Sequence, residues 1–319
     1  MGPPPLSLKT ILILVLLAAS ATSAENHVGF PSASQIAEFW RSTQRRLAAE
    51  PLDAVVEPSN EALPYRKYRV TLRGLGGIHF RAYLGVPVRG EAQSTQLPAI
   101  VTAPGYGGFQ QGIMLDECQR GYVILQVFPR SQGESEELWK IDDKLSWGIA
   151  NPLGYYYEGA YADMFRGIDF LISRPEVDRQ RIAIMGTSQG GGIALAVGAL
   201  DSRTRAIVAH LPCLCDMREA ARIPGSLINS QLTKADVNRS DAWDTLEYFD
   251  PLRLASSIHV PTLISAGGRD TVCPDSTIRP VFDAVKAVKA LLWYPELPHT
   301  SSQSFYSLSW TWIDMYVNH

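Results

Sequence analysis

The chain has 319 residues, enough for one large domain or two ordinary ones. Its hydrophobic fraction of 46% and charged fraction of 19% are those of a globular protein, which excludes disorder, collagen and coiled coil. With 29 Lys and Arg against 32 Asp and Glu, the net charge is −3. That balance gives no electrostatic footprint for nucleic acid. It also provides no basic run to hold an anionic membrane.

Residues 1–24 read as an export signal. Lys9 is the only charge ahead of an apolar run from Thr10 to Ala19, and small residues follow at 20–24, suited to cleavage after Ala24 or Ala21. The competing reading, a membrane anchor, needs roughly 20 apolar residues, about twice what is present. Removing 24 of 319 residues leaves 295, expected as a single domain over 25–319, with no membrane attachment after cleavage. The four cysteines, Cys118, Cys213, Cys215 and Cys273, are too few for a disulfide framework, and export permits bridges without dictating them. The expectation is four buried free thiols. Cys213-x-Cys215 has no matching second pair, so neither a metal nor a cofactor is expected.

Along the mature chain, Gln35–Ala49 has apolar residues at 36, 39, 40 and 47, suggesting an amphipathic helix. Tyr65–Leu72 and Ile78–Val86 read as two strands joined by a glycine-rich turn. Six apolar strand candidates follow: Ala99–Ala103, Val123–Phe128, Ile182–Met185, Ala206–Leu211, Thr262–Ala266 and Leu291–Tyr294. Their near-continuous apolar character suits strands covered on both faces. Helical stretches at Glu158–Ser173 and Gly190–Ala199 alternate with them. This rhythm predicts an α/β fold: a mostly parallel sheet with an antiparallel start and helices on both faces. The polar stretch at about 218–250 breaks the rhythm and is expected to be a helical insertion over the sheet.

The sharpest chemical signal is Gly186-Thr187-Ser188-Gln189-Gly190. Gly-x-Ser-x-Gly alone is short enough to arise by chance. Here it follows an apolar strand and opens a helix, the setting of a nucleophile elbow. Ser188 would stand at the carboxyl edge of the sheet, beside unpaired N–H groups of a helix start.

In this fold the partners follow in the order Ser, acid, His. Of six histidines, His299 satisfies both order and edge, because it follows the last strand candidate. His27, His79 and His319 are poorly placed, His259 lies at the amino edge, and His210 reads as packing. Asp270 follows Thr262–Ala266 and Gly267-Gly268 and is the leading acid; Asp275 in the same loop and Asp216 one strand earlier are its rivals. Ser188 would attack a carbonyl carbon, His299 would take its proton and Asp270 would orient the imidazole. The loop Pro104-Gly105-Tyr106-Gly107-Gly108 is placed to supply a second oxyanion donor, so the hole is assigned to the N–H groups of Tyr106 and Gln189.

From about Tyr68 to His299 the sequence resembles the acetyl xylan esterase and cephalosporin C deacetylase family, carbohydrate esterase family 7, within the α/β-hydrolases. The shared residues are Gly105-Tyr106-Gly107-Gly108, Arg130-Ser131-Gln132-Gly133, Tyr155-Tyr156-Tyr157, Pro175-Glu176-Val177-Asp178 and Arg181-Ile182. The elbow with Gly191, Pro212-Cys213-Leu214-Cys215-Asp216, Tyr248-Phe249-Asp250 and Asp270-Thr271-Val272-Cys273-Pro274 complete the set. Ser188-Gln189-Gly190-Gly191 together with Asp270-x-x-Cys273-Pro274 is the most specific part. Three positions depart from the family pattern: Ser131 replaces the glycine of Arg-Gly-Gln, Thr300 follows the histidine in place of glutamate, and Pro104 stands where histidine is common.

The resemblance implies deacetylation of short acetylated xylo-oligosaccharides and related small acetyl esters, without a metal. It also implies a homo-oligomer, a hexameric ring of dimers with the sites facing an interior cavity, which the 218–250 stretch would help form. Three other readings compete: a general short-chain carboxylesterase, a serine peptidase of the same fold and a non-catalytic binding protein. The complete Ser188, Asp270, His299 set argues against the last. Tyr155, Tyr156, Tyr157, Trp139 and Trp147 offer an acyl or sugar pocket, or ordinary core packing.

Overall fold

Residues 97–103 read Leu-Pro-Ala-Ile-Val-Thr-Ala and are buried without exception, as are residues 123–128 and 262–267. Unbroken burial of this kind requires cover on both faces of a sheet. The computed structural model describes residues 12–14, 30–88, 96–235 and 239–318. The segment assigned as an export signal lies outside them apart from 12–14, as do His27 and His319.

The described residues form one ten-stranded sheet. Its strands in chain order are β1 (Leu12–Leu14), β2 (Val55–Pro58), β3 (Tyr65–Arg73), β4 (His79–Pro87), β5 (Leu97–Ala103) and β6 (Val123–Phe128). Then come β7 (Val177–Thr187), β8 (Thr204–His210), β9 (Thr262–Gly267) and β10 (Lys289–Tyr294). The spatial order is β1-β10-β9-β8-β7-β5-β6-β4-β3-β2. Strands β6, β5, β7, β8, β9 and β10 run parallel, while β2, β3 and β4 form an antiparallel flank and β1 lies antiparallel beside β10. Strands β2 and β1 go beyond the sequence reading; each is only three or four residues long, too short for a period to declare itself.

One face of the sheet carries helices α1 (Ala33–Ala48), α2 (Tyr156–Ser173) and α3 (Gln189–Leu200). Helix α1 starts at a capping box made by Ser32 and Gln35 and buries Ile36, Trp40, Thr43 and Leu47. Trp40 stacks on Tyr161 of α2 and its indole N–H donates to the Tyr248 carbonyl.

Between β8 and β9 the chain carries α4 (Met217–Ala220), α5 (Leu227–Lys234), α6 (Arg239–Leu246) and α7 (Pro251–Leu254), so the described part of the 218–250 stretch is largely helical. Helix α8 (Asp275–Ala284) follows β9. The opposite face is covered by α9 (Gln303–Val317), which buries Phe305, Trp310, Ile313 and Val317 against Met185, Val208 and Leu263. No described helix is long and apolar enough to cross a membrane.

Register places the functional loops. Ala103 pairs with Gly186, Thr187 with His210 and Trp293 with Ala266. The loops leaving β5, β7, β8, β9 and β10 therefore emerge side by side at one edge, the place where open α/β sheets build their sites.

Candidate active site

Strand β7 ends at Thr187 and α3 begins at Gln189, so Ser188 alone makes the turn. It does so at φ 59° and ψ −124°, a conformation L-residues rarely adopt. Two glycines permit the turn: a Cβ on Gly186 would overlap the Gly190 backbone, and one on Gly190 would overlap the Ala103 carbonyl. The turn is fastened at both ends. Ser188 N–H donates to the His210 carbonyl at 2.9 Å, and the Ser188 carbonyl accepts from Cys213 N–H at 2.9 Å.

Ser188 Oγ lies 3.0 Å from His299 Nε2, and His299 Nδ1 lies 2.7 Å from Asp270 Oδ2. Asp270 is fully buried as a side chain, while His299 keeps 26% of its side-chain surface. The second Asp270 oxygen accepts N–H bonds from Val272 at 2.9 Å and Cys273 at 2.8 Å. A buried carboxylate with three such partners is compensated for the water it has lost. The geometry separates Asp270 from its rivals. Asp275 accepts from Trp293 Nε1 and pairs with Arg279, while Asp216 caps α4 by accepting from Glu219 N–H.

The two residues assigned to the oxyanion hole sit on the loop leaving β5 and at the start of α3 after β7, both at this edge. Gln189 and Tyr106 donate their N–H groups to no carbonyl among the described residues. Gln189 begins α3, and the close approach of Gly190 to the Ala103 and Pro104 carbonyls brings the Tyr106 loop against that helix start. Side chains hold both residues in place. Tyr157 OH donates to Gln189 Oε1 at 2.8 Å, and Tyr106 OH bonds Gln231 Oε1 of α5 at 3.3 Å. Gln231 belongs to the insertion, a contribution to the site that its polar sequence did not announce.

Several residues take roles the sequence left open. His210 is 4% exposed, stacks on Phe305, and accepts from Ser302 N–H at Nε2. Its Nδ1 therefore carries the proton and donates to Ser265 Oγ. This pins the loop that carries His299 onto β8 and β9. Burial, helped by His299 nearby, pushes the His210 imidazole down to about 4.

Ser131, the departure from Arg-Gly-Gln, has φ 58° and is fully buried. Its hydroxyl accepts from Ile141 N–H at 2.8 Å and reaches the Ile141 carbonyl at 3.2 Å, bonds that glycine could not make. Arg130 beside it forms a buried pair with Asp163 at 2.7 Å. Thr300 is exposed, and its N–H closes a turn onto the Pro298 carbonyl.

Tyr155, Tyr156 and Tyr157 are at most 2% exposed and belong to the core. Tyr155 and Tyr156 line a cavity of about 260 Å³ with Trp139, Trp147, Arg130 and Glu158, which none of Ser188, Asp270 or His299 lines.

The expectation of four free thiols is corrected: Cys213 and Cys273 form a disulfide with Cα atoms 5.0 Å apart. The reason is topological. Cys213 leaves β8 and Cys273 leaves β9, and these strands are neighbours although 60 residues separate the two cysteines. Cys118 and Cys215 are free and buried, and burial pushes the Cys118 thiol up to about 12. Asp270, Cys273 and His299 lie close enough to hold a metal ion. The Cys273 sulfur is bonded to Cys213, however, so the trio lacks the thiolate a zinc site would use.

Comparison with known proteins agrees with this fold. Residues 30–314 match the family model for acetyl xylan esterase (AXE1). The acetyl esterase Axe7A of Xylanibacter ruminicola is 32% identical over 174 residues, covering 52% of this chain and 38% of that protein. The alignment thus spans well under half of that curated relative. The acetyl xylan esterase from Paenibacillus sp. R4 superposes with a TM-score of 0.80 at 29% identity, over 92% of this chain and 96% of that one. Acetyl xylan esterase 1 from Thermoanaerobacterium sp. JW/SL YS485 gives 0.79 at 22% identity, over 87% and 92%, a likeness of fold. With an α/β-hydrolase sheet, a serine elbow and a family match over most of its length, the chain belongs to the acetyl xylan esterase family of carboxylic-ester hydrolases.

Proposed function

We propose that this protein is an exported serine esterase that removes acetyl groups from small saccharides through an acyl-enzyme. The observation that carries the reading is the unbroken relay from Asp270 through His299 to Ser188, with distances of 2.7 and 3.0 Å.

In the proposed cycle His299 Nε2 takes the Ser188 proton as Oγ attacks the acetyl carbonyl carbon. Asp270 holds the imidazole with Nδ1–H toward it and stabilises the imidazolium. The N–H groups of Gln189 and Tyr106 receive the developing oxyanion, aided by the start of α3. His299 then returns the proton to the departing sugar oxygen, leaving acetyl on Ser188. Water activated by the same histidine releases acetate.

Export is supported by the leader-like composition of residues 1–24 and by the Cys213–Cys273 disulfide, which persists in oxidising compartments. Cleavage after Ala24 removes β1 and leaves β10 as the sheet edge. A homo-oligomer, with a hexamer as its expected size, remains part of the proposal and is read by light scattering. Ser188→Ala should abolish turnover of an aryl acetate, roughly a 10³-fold loss or more, with the far-ultraviolet circular dichroism unchanged. Retained turnover would remove Ser188 from the mechanism.

A further inference from the structure

The Cys213–Cys273 disulfide stands where the supports of the nucleophile and of the acid meet. Cys213 N–H donates to the Ser188 carbonyl, and Cys273 N–H donates to Asp270 Oδ1. The two sulfur atoms lie 3.7 and 3.9 Å from Ser188 Oγ, and both cysteines are at most 3% exposed. Each half of the bridge is thus one hydrogen bond from a triad residue, and both sulfurs touch the nucleophile itself.

The sheet explains why a link is needed there. The ladder between β8 and β9 pairs Ile207 with Thr262, Val208 with Leu263 and Ala209 with Ile264, and then stops. Strand β8 runs on to His210 and β9 to Gly267 without further pairing between them. The strands part at the edge where the triad is assembled. Beyond that point the gap is spanned by the His210–Ser265 and Leu211–Ser265 hydrogen bonds and by the disulfide.

We propose that the Cys213–Cys273 disulfide is a positioning element of the active site, so that turnover depends on its oxidised state. This rests on the serine-esterase reading above. A small dithiol supplies the two electrons needed to open the bridge. One of its sulfurs displaces a cysteine to form a mixed disulfide, its second sulfur closes on the first, and both cysteines leave as thiols. Two thiols in van der Waals contact need more room than one bonded pair. That room is bounded by Ser188 Oγ, so the loops after β8 and β9 move apart and take the Ser188 and Asp270 supports with them. Catalysis that relies on geometry set to within about half an ångström loses rate when its supports shift.

The test uses the purified protein before and after treatment with dithiothreitol. Alkylation by iodoacetamide after unfolding counts the thiols by mass: two in the oxidised protein, four in the reduced. For an aryl acetate, kcat should fall at least tenfold on reduction while KM stays within twofold. Circular dichroism should be unchanged, and glutathione disulfide should restore kcat. The Cys213→Ala/Cys273→Ala double variant should show the lower kcat from the outset and no response to the dithiol.

Full kcat in a protein with four counted thiols overturns the proposal. So does a loss of activity that follows the loss of circular dichroism, since the bridge would then be a stabiliser of the whole fold. If the oxidised protein turns over no ester, the esterase reading fails instead. The rate at which an organophosphonate labels Ser188 then reports the bridge: a slower rate on reduction supports it and an equal rate overturns it.

Discussion

The serine side and the histidine side of the site are held by different means. Ser188 is enclosed by backbone: glycines packed against carbonyls, four main-chain hydrogen bonds and a disulfide against its hydroxyl. His299 sits on a loop after β10, keeps a quarter of its side-chain surface and is oriented by the Asp270 carboxylate. Its loop is tied down through a second, neutral histidine, His210. Steric and covalent constraints do not titrate, whereas side-chain hydrogen bonds do. The nucleophile's position should therefore be insensitive to pH, and the histidine's support should not be.

The largest effect expected from this contrast is at the acid. Asp270→Asn should lower kcat/KM for an aryl acetate by roughly 10³–10⁴-fold, because the amide favours the wrong imidazole tautomer. Asp275→Asn, in the same loop but paired with Arg279, should stay within about twofold. Equal losses in the two variants would break the assignment.

A smaller effect follows from His210. Its folded-state pKa of about 4 lies below the unfolded value of about 6.5. Between those values the unfolded chain binds the extra proton, so this group's contribution to stability is present above pH 6.5 and is lost as pH falls toward 4. Asp250 acts in the opposite sense. Burial raises its carboxyl to about 7, so its contribution grows as pH falls from 7 toward 4. Comparing wild type with His210→Asn cancels the Asp250 effect. The stability advantage of the wild type in urea unfolding should shrink by about 2 kcal/mol between pH 7 and pH 5. An unchanged difference would show that the folded protein does not hold His210 in its neutral form.

The smallest effect is at Ser131, which supports the site from a distance. Ser131→Ala keeps the unfavourable φ but leaves Ile141 N–H unpaired, and should cost about 1–2 kcal/mol in urea unfolding with kcat changed less than twofold. A large fall in kcat would place Ser131 closer to the chemistry than its contacts do.

Much of this architecture is legible in the chain itself. The parallel strands announce themselves as apolar runs, because burial on both faces leaves no alternation to disguise them. The elbow is readable because strand, turn and helix are contiguous in sequence, and His299 because it follows the last strand. Asp270 was separable from Asp275 and Asp216 only in three dimensions, where the turn after Gly267 aims Val272 and Cys273 N–H at one carboxylate and not the others.

The disulfide was hidden for a related reason: it depends on β8 and β9 being neighbours, not on spacing along the chain. Helix α9 escaped detection because Trp312, Met315 and Tyr316 add apolar residues outside its buried stripe and blur the period. The role of Gln231 depends on where the insertion folds back, which local pattern does not encode.

The central claim is that Ser188 is the one nucleophile activated by this relay. Treating the protein with an organophosphonate and mapping the adduct by peptide mass spectrometry tests it most directly. The account expects a single phosphonyl group, on the peptide containing Ser188, and no labelling in His299→Ala over the same interval. No adduct on the wild type, or an adduct on another residue, would contradict it.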